Sequence, residues 1–75
     1  MAGSDEATVV KIIELIGSSK KSWEDATMNA VKQASKTVRN IKSVYLQGCT
    51  AKIENNKIVE YRSNVKISFV VDREM

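Results

Sequence analysis

One tryptophan, one cysteine and nine scattered carboxylates are the side chains with which this chain could do chemistry, and no histidine is present to activate any of them. A reactive thiol needs a neighbour that stabilises the thiolate. Cys49, beside Gly48 and without a histidine anywhere, reads as an inert small hydrophobe. A zinc site of the Cys/His kind is excluded by the same composition. The carboxylates Asp5, Glu6, Glu14, Glu24, Asp25, Glu54, Glu60, Asp72 and Glu74 show no calcium-loop spacing. A calcium site would therefore have to be assembled across subunits, and its ligands are unknown from the sequence. No spacing announces paired carboxylates for acid–base work, so an enzyme is the poorest reading. Trp23 in "GSSKKSWEDA" offers a flat face for a ligand or a plug for a small core. It stands at the first helical position, in phase with Ala26, Ala30 and Ala34, so the expectation is a plug in the core or at an interface.

The elements that must carry these residues follow from pattern. Residues 9–16 (VVKIIELI) are a β-branched run that Gly17 is expected to end. Both faces of this strand hold apolar residues, so cover is needed on both sides. Ser22 is a favoured helix N-cap, and Asp25 three positions on resembles a capping box. Glu24 and Asp25 suit the positive end of the helix dipole, and Lys36 and Arg39 are expected near its other end. Positions 23, 26, 30, 31, 34 and 38 form a stripe rich in alanine, which a sheet can approach closely. A second strand is expected over 43–54, with a bulge or bend at Gly48. Asn55 and Asn56 suit the positive φ of a tight hairpin. The last strand, 58–71, alternates: Val59, Tyr61, Val65, Ile67, Phe69 and Val71 share one face, interrupted by Ser63.

The predicted class is α+β, in the order β-α-β-β, with a three-stranded antiparallel sheet wrapped around one helix. Seventy-five residues hold one domain, expected over 8–72, with a flexible N-terminus at 1–7 and a tail at 73–75. A chain this short buries only about 60% of its unfolded surface. Thirteen residues of the last strand extend roughly 43 Å at about 3.3 Å each, against about 30 Å for a compact domain of this size. The hairpin must curl or project, and a projecting apolar strand implies an obligate oligomer. The net charge of +3, from 12 basic and 9 acidic residues, is mild. No membrane span and no signal-peptide pattern are present, and with a free cysteine the expected location is cytoplasmic.

The stretch "KIIELIGSSKKSWEDATMNAVKQASKTVRNI", with "ELIGSS", "SWEDA", "ASKT" and the closing "EYRSNVKISFVV", resembles the dodecin family over about residues 8–71. That resemblance implies a hollow homododecamer that stores small ligands and is not an enzyme. In well-known dodecins a flavin (riboflavin or FMN) stacks on a tryptophan after the helix and meets a glutamine on the last strand. Those positions fall here on Ser43 and Arg62, so both flavin contacts are substituted. Ser43 has no ring face, and Arg62 adds a cation that suits anions. Tyr45, on the same strand face as Ser43, is an auxiliary candidate for stacking, although packing in the sheet or at a subunit interface is its simpler role. The simpler role of Arg62 is an ion pair with Glu60 or Glu14 of a neighbouring subunit. The chain is similar to the branch lacking the stacking tryptophan, which implies calcium as the alternative ligand.

The preferred function is a non-enzymatic shell that binds, stores or buffers a small ligand or ion, with itself as partner. The alternative is a flavin-storage dodecin with altered contacts through Tyr45 or Arg62. A nucleic-acid module, suggested by Lys20, Lys21, Lys32, Lys36, Arg39 and Lys42, is disfavoured because the polar face of 58–70 has no aromatic on which bases could stack. Neither nucleic acid nor membrane is an expected partner.

Overall fold

The computed structural model describes residues 9–71, so the terminal segments expected at 1–7 and 73–75 lie outside the described residues. The element order is β1 (Val10–Ser19), α1 (Trp23–Ala34), β2 (Ile41–Glu54) and β3 (Lys57–Val70). The strands form one antiparallel sheet in the order β1-β3-β2, which puts the best-patterned strand in the middle. The expected β-α-β-β fold is the one observed.

Gly17 does not end β1. The strand runs through it to Ser19, because the position serves packing and not a turn. A Cβ at Gly17 would overlap the Ala26 carbonyl oxygen and lie 3.0 Å from the Ala30 Cβ. The missing side chain lets the alanine stripe of α1 settle directly on β1. Ala26, Ala30 and Ala34 are all buried there, with Val65 and Ile67 of β3 completing the core. Ile13, Leu15, Val31 and Ile41 pack around its rim.

The start of α1 is the one the sequence announces: the Asp25 amide donates to Ser22 Oγ at 2.9 Å. The capping box does not close, since the Asp25 carboxylate instead accepts from Ser19 Oγ at 2.7 Å. The other end corrects the expectation. The helix stops at Ala34, and the Ser35, Lys36 and Thr37 amides turn back onto Val31, Gln33 and Ala34 carbonyls. Lys36 and Arg39 thus lie beyond the helix, and Lys32 is the basic residue of its last turn.

Asn55 and Asn56 have φ of 52° and 64°, which closes a two-residue hairpin between β2 and β3. Three irregularities mark the β2–β3 ladder: the register shifts between Ile41 and Ser43, between Leu46 and Gly48, and between Lys52 and Ile53. The predicted bulge at Gly48 is therefore real, with Gln47 as the extra residue. The hairpin projects strongly, and the molecule measures 57 × 20 × 16 Å. Its radius of gyration is 15.9 Å, whereas a compact chain of this length has about 11 Å.

Candidate functional site

Cross-strand register sorts the side chains onto two faces. Residues of β3 with odd numbers face α1: Ser63, Val65 and Ile67 are fully buried. Even-numbered residues face outward, and their partners come with them. Lys66 lies between Glu14 of β1 and Tyr45 of β2, and Ser68 between Ile12 and Ser43. These five, Ile12, Ser43, Tyr45, Lys66 and Ser68, line an open depression of about 410 Å³ on the outer face. Glu14 borders it, with its carboxylate 3.9 Å from the Lys66 ammonium.

Chemically the depression offers a ring, hydroxyls and a cation over an apolar floor. The Tyr45 ring is 64% exposed and presents an open face. Ser43 Oγ and Ser68 Oγ hydrogen-bond to each other, so each keeps spare capacity for a ligand's polar edge. Ile12, 60% exposed, supplies apolar surface. This arrangement suits a small planar molecule with polar edges.

Ser43 and Tyr45 are thus brought together, as the alternation along the strand suggests. Arg62 is not brought to them. It pairs with Thr50, six residues along β3 from Ser68, or about 20 Å of strand. Its guanidinium meets Glu60 of its own chain, with Nε at 3.0 Å and an Nη at 2.9 Å from the same carboxylate oxygen. The pair was expected with Glu60 or Glu14 of a neighbouring subunit; within the single chain Arg62 takes its own Glu60 instead. Lys66, Ser68 and Ile12 were not singled out from the sequence. Their signal was only an outward place in alternating strands, and which outward residues meet is decided by register.

Trp23 stands on the opposite face, away from the depression. Its indole Nε1 donates to the Thr50 carbonyl at 2.8 Å, and its ring meets Tyr61 edge-to-face with centroids 4.8 Å apart. The indole thereby fastens the start of α1 to the hairpin. Beside it, the Thr27 hydroxyl donates to the Trp23 carbonyl, so Ser63 must donate to Thr27 Oγ1 in their 2.7 Å contact. That pairing satisfies the one polar interruption in the apolar face of β3.

Among the described residues, no three of His, Cys, Asp and Glu come together as a metal cluster. Among the same residues, no helix is long and apolar enough to cross a membrane. Cys49 is exposed as a free thiol.

The family profile for dodecin matches residues 9–72. Among solved structures, a variant of Thermus thermophilus dodecin is 25% identical, with a TM-score of 0.87, over 91% of this chain and all of the other. A calcium dodecin from Mycobacterium tuberculosis, described as calcium-chelating, is 28% identical, with a TM-score of 0.76, over 89% of this chain and 96% of the other. Dodecin from Streptomyces coelicolor shares the fold at 22% identity, with a TM-score of 0.85, over 89% and 96% of the two chains. A search of the curated proteins finds no match. With strand order, helix placement and nearly the whole length in agreement, the chain belongs to the dodecin family.

Proposed function

We propose that this chain is the subunit of a non-enzymatic, dodecin-like shell of twelve copies that binds and buffers a small planar ligand or an ion. The observation that carries the reading is the outer-face depression, where Ser43, Tyr45, Lys66 and Ser68 converge on an apolar floor in a chain of this family. The elongated shape supports assembly, because a subunit so far from compact leaves apolar surface that only neighbours can cover. A cytoplasmic location, expected from the free thiol, belongs to the same proposal.

The stacking of a flavin on an indole does not fit at Ser43, which has no ring and is engaged with Ser68. A second reading, flavin storage through altered contacts, is favoured by the open Tyr45 ring beside it. Arg62 enters such a site only if another copy brings it there, since its own strand holds it about 20 Å away. Calcium, by analogy with the calcium-chelating relative, would likewise need carboxylates from several copies.

Light scattering and ligand titration test the proposal together. The expected mass is near twelve times 8.4 kDa. Riboflavin fluorescence should be quenched only weakly, because a single exposed phenol replaces the missing indole. Strong quenching near one flavin per subunit would replace the preferred reading with the second. A monomeric mass would sink both.

A further inference from the structure

We infer that the helix-side face of β2 is a contact with a second copy of this chain, separate from the ligand depression on the other side of the sheet. The inference rests on the proposed oligomer and says which surface builds part of it. Along β2 the residues facing α1's side are Ile41, Val44, Leu46, Cys49 and Ala51, paired with Phe69, Ile67, Val65, Ser63 and Tyr61. All five are apolar or thiol-bearing, although their spacing is irregular. Strict alternation would send some of them outward. The first two register shifts, which make Lys42 and Gln47 the extra residues, return each one to the same face. A face kept apolar through two register shifts is patterned for burial.

The chain itself covers it only in part, at Ile41 and Ala51, and leaves Val44, Leu46 and Cys49 exposed. Helix α1 packs on β1 and β3 and barely touches β2. Leu46 stays 52% exposed although its partner Val65 is fully buried, and Cys49 is exposed although its partner Ser63 is fully buried. The stripe is therefore the open continuation of the core. The surface balance of the whole chain leaves room for such a cover. The chain exposes 5873 Å², against about 4,600 Å² for a compact monomer of its mass. The excess of about 1,300 Å² exceeds the roughly 800 Å² per partner of a standard stable contact. Pairing through the free edge of β2 is a poorer use of this strand, since its bulges twist the backbone ladder. Face packing by another copy remains.

Cys49 reports on this contact without any substitution. In the assembled protein its reaction with Ellman's reagent should be about tenfold or more slower than in denaturant, as for a thiol shut away from solvent. Leu46→Glu, at a site exposed within the single chain, should lose the full-size assembly, read as mass by light scattering. An assembled wild type whose Cys49 reacts at the denatured rate would overturn the inference while leaving the oligomer intact. Retention of the wild-type mass by Leu46→Glu would do the same. A monomeric wild type, by contrast, would strike at the oligomer itself.

Discussion

At the scale of single residues, Trp23 and Tyr45 differ in what the fold leaves free. Trp23, the residue that invites a ligand, spends its N–H on the Thr50 carbonyl and its ring on Tyr61. The open ring is Tyr45, on the other face of the sheet. Trp23→Phe keeps the ring contact and leaves the carbonyl to water, so it should cost about 1 kcal/mol of stability by thermal or denaturant unfolding. The same variant should leave riboflavin titration unchanged, because the indole does not line the depression. A large loss of ligand affinity in it would contradict this division of roles. Arg62 plays a smaller structural part. Its ion pair with Glu60 is half-exposed, so it orients the guanidinium more than it stabilises the fold.

Among elements, the close seating of α1 on the sheet is the decisive contact. It depends on alanines on the helix and on Gly17 in the strand, where even a methyl group meets the Ala26 carbonyl. Gly17→Ala should therefore lift the helix and cost about 2 kcal/mol, read from the denaturation midpoint at fixed subunit concentration. An unchanged midpoint would mean that α1 shifts freely over β1. The expectation that Gly17 ends the strand failed because a glycine's local signal is the same for a turn and for a close approach. Asn55 and Asn56 had no such ambiguity: two adjacent residues able to take positive φ between alternating strands specify the turn locally.

For the molecule as a whole, the small core sets the terms. Among the described residues, only Ala26, Ala30, Ala34, Val65 and Ile67 are buried apolar residues, while Val10, Ile12, Ile16, Leu46 and others remain exposed. A single copy has too little buried surface for much stability of its own. Unfolding should thus be coupled to dissociation, and the melting temperature should rise measurably with protein concentration. A melting temperature constant over a hundredfold range of concentration would indicate that one copy is stable alone. The apolar residues lie on both faces of the sheet: Ile12 and Ile16 outward, Val44 and Leu46 on the helix side. One symmetric contact cannot cover both faces, so the assembly needs at least two kinds of interface.

The sequence by itself determined the element order, the helix start at Ser22, the Asn55-Asn56 turn and the buried face of β3. Each depends on residues close together in the chain, where capping, backbone sterics and two-residue alternation act. It also indicated, through the mere length of the last strand, that the chain could not be compact. Only the tertiary structure decided that β3 lies between β1 and β2 and that Lys66 and Ser68 join Ser43 and Tyr45. It alone showed that Arg62 stands apart from them and that Gly17 is a packing residue. Those outcomes depend on register and on the approach of distant segments. A slip of one residue reverses the face of every side chain, and no local pattern in β2 reports where its bulges fall.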